Sequence, residues 1–242
     1  MNGKLLKGLI LLMLGLFLLT ACGLNYVQGS GNVITEERDV SGFDSVNMSG
    51  FGEVLITQGN IESLTIETDD NLMQYIESSV RGNTLYLEFQ DNTIPDPSDK
   101  ITFNLNVIDL GALDLSGAGS FIIESLETPS LEITFSGAGN IDLDSLIADR
   151  VSTRVSGAGD IRMTGDVGTQ DILIEGVGRY SAPDLESAQA TVRIEGAGSV
   201  VIWVLEELDL TVQGAGNVDY YGNPTVTQNI EGGGSINSLG AK

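Results

Sequence analysis

The sequence predicts an all-β fold in which short strands stack in parallel into a solenoid with rungs of about 18–20 residues. The first observation is a Gly-x-Gly pair that recurs seven times at steps of 18 to 20 residues. The second is the alternation of apolar and polar residues around each pair, and the third is that no helical pattern follows any pair. Self-similarity at such a period is typical of stacked-repeat proteins. The pairs begin at Gly117, Gly137, Gly157, Gly176, Gly196, Gly214 and Gly232.

Each repeat contains apolar positions that align in columns. The column two residues before the first glycine is Leu115, Phe135, Val155, Ile174, Ile194, Val212 and Ile230. The column two residues after the second glycine is Phe121, Ile141, Ile161, Tyr180, Val200, Val218 and Ile236. This period of two, rich in β-branched residues, indicates strands with one buried face. Stacked in parallel, the columns form continuous apolar ladders, whereas a propeller needs about twice this repeat length.

The glycines themselves are open to two interpretations. They can mark a sharp corner, or a place where the backbone of the next rung comes too close for a Cβ atom. Alternatively, they can form a loop that cradles a phosphate, which requires a helix directly after the loop. Because no helical pattern follows, the structural interpretation is favoured.

The first residues are typical of a secretory signal. Lys4 and Lys7 precede an apolar stretch over residues 9–19, which is too short to span a bilayer as a helix. We predict a lipoprotein signal peptide over residues 1–21.

Cys22 is the only cysteine of the chain, and it directly follows Leu19-Thr20-Ala21. A Leu-x-Ala-Cys sequence resembles the bacterial lipobox, in which the cysteine is acylated and becomes the first mature residue. Cys22 is therefore the predicted lipid attachment site, and residues 22–31 are a predicted tether. The alternative is a chance cysteine near the cleavage site of an ordinary signal. With no second cysteine, the domain has no internal disulfide.

The charge of the chain excludes some partners. After the predicted signal, 34 acidic residues face nine basic ones, and there is no histidine. Nucleic acid requires neutralisation of its phosphates by lysine and arginine, so a nucleic-acid partner is not expected. The same charge opposes docking of the domain on anionic lipid and favours solubility.

The chain is expected to form one continuous domain in two parts. Residues 32–110 form the less regular N-terminal part of the solenoid, and residues 111–242 form the regular Gly-x-Gly array. The first part contains an early copy of the corner at Ser49–Gly52 and a predicted short helix over residues 69–76. Asp91–Lys100, which contains two prolines, is the best candidate for a loop.

The order of these motifs resembles the head GIN domain of putative auto-transporter adhesins, an exported bacterial family often found on lipoproteins. The resemblance covers about residues 32–238 and implies a right-handed β-helix-like fold with no catalytic residues to transfer. The motifs that carry it are Gly42-Phe43-Asp44-Ser45-Val46, Ser49-Gly50-Phe51-Gly52-Glu53-Val54, Ile56-Thr57-Gln58-Gly59, Asp70-Asn71-Leu72 and the Ser-Gly-Ala-Gly corners at Ser116, Ser136 and Ser156.

Two functions are compatible with the sequence. The first is a non-catalytic interaction or adhesion module of the cell envelope, held by its lipid on the outer face of the plasma membrane or on the outer membrane. Its partner would be an envelope protein or a glycan, and no cofactor is expected. The alternative is a polysaccharide lyase or glycosidase, which would use a pair of carboxylates. With so many acids, such pairs arise by chance, so their presence favours neither function.

Three groups of outward residues are candidate contacts. Glu175, Glu195, Gln213 and Glu231 share one column, where calcium could relieve repulsion between carboxylates; exposure to solvent could do the same. Four arginines could form an anionic-ligand patch or could offset acids on neighbouring rungs: Arg154, Arg162, Arg179 and Arg193. The alternation from Val200 and Ile202 places Trp203 outward as the first candidate contact residue; it could join Tyr220-Tyr221 in an aromatic patch or close one side of the coil.

Overall fold

A computed structural model of the chain describes residues 25–242. The N-terminal half contains β1 (Asn25–Gln28), β2 (Val33–Arg38), β3 (Ser45–Met48), β4 (Phe51–Gln58), β5 (Ser63–Asp69), α1 (Asp70–Met73), β6 (Ile76–Arg81), β7 (Thr84–Phe89), β8 (Thr93–Asp96) and β9 (Thr102–Val107). The regular half contains β10 (Ala112–Leu115), β11 (Ala118–Ile123), β12 (Leu126–Phe135), β13 (Ala138–Val155), β14 (Ala158–Ile174), β15 (Val177–Ile194), β16 (Ala197–Val212), β17 (Asn217–Tyr221), β18 (Thr225–Ile230) and β19 (Ser235–Gly240). The predicted all-β fold is confirmed. No helix within residues 25–242 has the length and hydrophobicity that a membrane span requires.

The regular half is a parallel β-solenoid. Strands β12 to β16 pair rung on rung in parallel register, so that Leu115, Phe135, Val155 and Ile174 form one column. The members of this column are at most 1% exposed. The apolar ladders expected from the alternation are therefore the core of the protein.

Each rung has three straight segments. In one rung the alternation of buried and exposed residues runs over Leu131–Phe135, over Ala138–Leu143 and over Leu146–Ala148. Pairs of consecutive exposed residues, or the glycine corner, interrupt the alternation between these segments. We name the three surfaces that these segments stack into the first face, the second face and the third face, in that order.

The glycines are structural, as the absence of a helix indicated. A Cβ atom on Gly137 would lie 1.9 Å from the carbonyl oxygen of Gly117, and one on Gly139 would lie 1.8 Å from that of Gly119. The same close approach recurs along the first-glycine column, from Gly117 over Gly50 to Gly232 over Gly214. A small-residue seam thus allows the rungs to stack at the corner.

The order of rungs in the stack differs from their order in the chain. The early corner copy belongs to a full rung formed by β3 and β4, on which the first regular rung stacks: Gly117 and Ala118 donate backbone hydrogen bonds to Met48 and Gly50 at 3.1 and 3.0 Å. On the other side of this rung lie β7 and β9. The chain therefore leaves the stack after β4, builds the outer rung, and returns to the inner side at β10.

Antiparallel strands close the N-terminal end of the stack. Strand β5 pairs with β9 and β2 pairs with β5, while β6 pairs with β7, all antiparallel. The predicted helix is present but spans only Asp70–Met73. This cap gives the solenoid the distinct terminal rung that stacked repeats require.

Two segments are more ordered than the sequence indicated. From Asn25 on, the segment predicted as a tether is folded onto the domain, because β1 pairs in parallel with β8. Strand β8 in turn lies inside the predicted loop Asp91–Lys100. The cap holds the following residues through Asn71, whose side chain accepts a hydrogen bond from Ser30 N and donates one to Gln28 O.

Asp69 organises this junction from a fully buried position. Its carboxylate accepts hydrogen bonds from Gly31 N at 2.7 Å, from Ser98 N at 2.8 Å and from Ser98 Oγ at 2.6 Å. Burial by itself raises the pKa of Asp69, but the hydrogen bonds from Ser98 and Gly31 outweigh it, and the pKa lies below its usual value. One ionised side chain therefore joins the N-terminal segment, β5 and the loop after β8.

Candidate functional site

Every basic residue within residues 25–242 forms an ion pair with a carboxylate. Each of the nine lysines and arginines within residues 25–242 lies within 4 Å of a carboxylate, for example Arg154 beside Glu175 at 2.7 Å and Arg162 beside Asp142 at 3.1 Å. Arg154, Arg162 and Arg179 each pair with an acid on a neighbouring rung, as predicted, whereas Arg193 pairs with Glu195 on its own rung. Because the chain has 34 acids, most carboxylates of the folded part have no such partner.

The charges are not distributed evenly over the three faces. Arg154 and Arg193 lie on the first face, and Arg162 and Arg179 on the second. The outward column of the third face runs in register through Glu127, Ile147, Asp166, Glu186, Trp203 and Tyr221. Within this column every charged residue is acidic. We name this column, with its flanking side chains, the acidic face.

A groove of about 910 Å³ opens at the N-terminal end of the acidic face. Its apolar walls include Ile108 and Ile147, which are 44% and 56% exposed, and Glu127, Asp149 and Asp166 supply its charge. Such a combination of exposed apolar surface and one sign of charge is typical of a contact surface for a partner.

Gln58 fixes the wall of this groove. Its side-chain amide donates hydrogen bonds to Ile108 O at 3.2 Å and to Glu127 O at 3.0 Å, and its carbonyl accepts one from Glu127 N at 2.9 Å. The turn after β4 is thus bound to the start of the third face. Sequence reasoning missed this groove because Gln58 and Glu127 are 69 residues apart in the chain.

Trp203 lies at the opposite end of the acidic face. It is partly exposed in an outward position, as the alternation predicted, and it is in register with Tyr221 on the next rung. Tyr220 is different, because it packs against the core. The predicted pair Tyr220-Tyr221 therefore separates, and only Tyr221 joins Trp203. A role for Trp203 in binding stays a prediction.

In the column proposed for calcium, most side chains already bond to neighbouring side chains of the protein. Arg154 bonds to Glu175 and Arg193 lies 3.4 Å from Glu195, while Gln213 donates a hydrogen bond of 3.2 Å to Glu231. Within residues 25–242 no three side chains of the usual metal-binding types converge on a common point. Calcium binding stays an untested prediction.

Among the described carboxylates, Asp114 has a raised pKa, which is the property that a catalytic acid requires. Burial raises its pKa, a hydrogen bond with Asn47 opposes this, and its Oδ1 atom is buried without a hydrogen-bond partner. It lies on the first face in a shallow depression of about 260 Å³ that also includes Glu132 and Tyr86. The enzyme alternative stays a prediction. Cys22, the predicted lipid attachment site, lies outside the described residues.

The fold and the site define a class of protein: a parallel β-solenoid with an acidic outward column on its third face and a structural glycine seam. Residues 42–224 match the family model described as "Putative auto-transporter adhesin, head GIN domain", and the chain belongs to this family. Comparison with curated proteins gives no match.

Solved structures show the same fold. The chain is 27% identical to a putative adhesin from Bacteroides fragilis, with a TM-score of 0.85 over 88% of this chain and 100% of that one. A putative lipid binding protein from Parabacteroides distasonis is 24% identical, with a TM-score of 0.72 over 89% and 100% of the two chains. A putative adhesin from Parabacteroides merdae is 21% identical, with a TM-score of 0.66 over 89% and 99%.

Proposed function

We propose that this protein is an exported, lipid-anchored and non-catalytic interaction or adhesion module of the bacterial cell envelope, which contacts its partner through the acidic face. The observation that carries the proposal is the separation of charge between faces. The arginines of the array neutralise acids on the first and second faces, whereas the outward column of the third face combines unneutralised carboxylates with exposed apolar and aromatic side chains. Membership of the family described as "Putative auto-transporter adhesin, head GIN domain" and the likeness to a putative adhesin from Bacteroides fragilis support this role.

The N-terminal cap suits attachment to a membrane. Only residues 23 and 24 separate Cys22 from the start of β1, so a lipid on Cys22 would lie within about 10 Å of extended chain from the cap. Strand β1 pairs with β8, which connects the two strands of the outer rung. The regular rungs would then extend away from the bilayer, and the acidity of the domain would repel it from anionic headgroups.

A charge-neutralising variant tests the contact surface. In the triple variant Glu127→Gln, Asp166→Asn and Glu186→Gln, we expect at least a roughly tenfold loss of affinity for envelope fractions or arrayed glycans, if each carboxylate contributes a modest share to the contact. Binding of the purified mature domain is measured by biolayer interferometry.

A matched control neutralises three acids elsewhere. The variant Glu67→Gln, Glu132→Gln and Asp209→Asn changes the net charge by the same amount at positions outside the acidic face and outside the ion pairs of residues 25–242. We expect it to bind like the wild type. Equal losses in both variants would show a general charge effect and would contradict the acidic face as the contact surface.

The anchor is tested separately. Cys22→Ser should abolish incorporation of labelled palmitate. If the variant still incorporates palmitate, lipid attachment at Cys22 is wrong.

A further inference from the structure

The far end of the acidic face contains a bound ammonium group that belongs to the chain itself. Lys242 Nζ lies 5.0 Å from the ring centre of Trp203 and 5.3 Å from that of Tyr221. The same nitrogen donates hydrogen bonds to the carbonyl oxygen of Pro183 and to the carboxylate of Asp184. Two aromatic rings, a carboxylate and a carbonyl thus surround one cation, which is the usual set of groups that recognise an amine.

The backbone explains how Lys242 reaches this position. Gly240 pairs with Tyr221 at the end of β19, and its φ of +91° is in the region that favours glycine. The chain leaves the strand direction at this point, and Lys242 lies over Tyr221 and Trp203 on the two preceding rungs. Among residues 25–242, Lys242 is the one basic residue that contacts the outward column of the acidic face.

The contacts of Lys242 are weak enough for another cation to displace its ammonium group. The Asp184 side chain is 63% exposed, and exposed ion pairs contribute little to stability because water screens them. A cation over partly exposed aromatic rings adds a similarly modest contribution. The carboxylates along the rest of the face raise the local concentration of positively charged partners.

We propose that Trp203, Tyr221, Asp184 and the Pro183 carbonyl form a binding site for a primary ammonium group. In the free protein Lys242 fills this site. A lysine side chain from a protein partner replaces it, so that Lys242 competes with the partner. The proposal deepens the proposed function, because it rests on the acidic face as contact surface and names the chemistry of the partner.

The only tryptophan of the chain is in this site, so its fluorescence reports on the site directly. The full mature protein carrying Lys242→Ala is titrated with n-butylammonium chloride, which reproduces the end of a lysine side chain. We expect a saturable change in the fluorescence of Trp203. The wild type should require a roughly fivefold higher concentration for the same change, because Lys242 has to leave first. Sodium chloride at equal ionic strength and neutral n-butanol should give no saturable change.

A second substitution tests the carboxylate. In the double variant Lys242→Ala and Asp184→Asn, butylammonium should bind roughly fivefold more weakly than in Lys242→Ala alone. The matched control is Lys242→Ala with Glu132→Gln, which neutralises an exposed acid on the first face, outside the site, and should leave the affinity within about twofold. Circular dichroism confirms that all variants keep the β-structure.

The outcomes separate the two proposals. If butylammonium and sodium chloride have the same effect on Lys242→Ala, or if Asp184→Asn changes nothing, the ammonium site is wrong. The acidic face can still pass its own test in that case, because its three neutralised carboxylates do not include Asp184. Saturable binding by Lys242→Ala that is roughly fivefold weaker in the double variant with Asp184→Asn supports the site.

Discussion

The phenol of Tyr180 donates a hydrogen bond of 2.9 Å to the side-chain carbonyl of Gln170, and both residues are fully buried inside the coil. The amide of Gln170 donates in turn to Ser187 Oγ at 2.9 Å, and Ser187 Oγ donates to Trp203 O at 3.1 Å. These residues lie on the rungs where the strand register shifts, near Arg162 and again around Ser187. The network satisfies polar groups inside the core and links three rungs of unequal length.

Removing one hydroxyl should therefore destabilise the domain. Tyr180→Phe leaves the Gln170 carbonyl buried without its partner, and we expect the free energy of unfolding to fall by about 1–3 kcal/mol. Urea denaturation followed by circular dichroism measures this. Tyr75→Phe is the control, because Tyr75 is only partly buried; its effect should stay within about 0.5 kcal/mol. Equal effects in the two variants would contradict a role for the network.

The glycine seam predicts a sharp contrast between two Gly→Ala substitutions. Gly137→Ala places a Cβ atom 1.9 Å from the Gly117 carbonyl oxygen, so neighbouring rungs have to separate. We expect a loss of about 2 kcal/mol or more, measured as a lower urea midpoint. Gly233→Ala belongs to the same type of corner, yet no atom lies within 4 Å of its added Cβ. A loss beyond about 0.5 kcal/mol at Gly233 would contradict close approach as the cause of the effect at Gly137.

Asp69 should make the stability of the domain depend on pH. Its pKa is lowered in the folded state, so its contribution is present above the usual aspartate pKa and is lost as the pH falls through the folded value. Asp69→Asn should destabilise the domain at pH 7 by about 1–3 kcal/mol, because its amide cannot accept all three hydrogen bonds. The difference between wild type and variant should shrink on acidification below about pH 4. Asp70→Asn, at an exposed site beside it, should show a smaller difference at pH 7.

Asp114 should make the stability of the domain depend on pH in the direction opposite to Asp69. Burial raises its pKa in the folded state, so the stability that it contributes is present at low pH and falls as the pH rises through the folded value. Asp114→Asn resembles the protonated form, and it should become more stable than the wild type as the pH increases from about 4 to 7. Thermal melts across this range measure the difference. A constant difference would contradict a raised pKa at Asp114.

The repeat structure was predictable because it depends on local pattern. The alternation around Gly137 shows which residues face inward, and a small-residue column indicates where rungs approach closely. Trp203 was placed outward on the same ground. The groove at Gln58 and the position of Lys242 were not predictable, because they bring together residues that are distant in sequence.

The sequence by itself determined the solenoid, its register and its structural glycines, since a period of two within a period of 18 to 20 allows one parallel stacking of the buried columns. Only the tertiary structure decided how the chain order becomes a rung order, with β3 and β4 between the outer rung and the regular array. It also decided that Arg154, Arg162, Arg179 and Arg193 pair with acids of the first and second faces, while the carboxylates in the outward column of the third face have no ion-pair partner within residues 25–242. Both depend on which rungs become neighbours, and β3 pairs with β7 and β10, which are distant from it in the sequence.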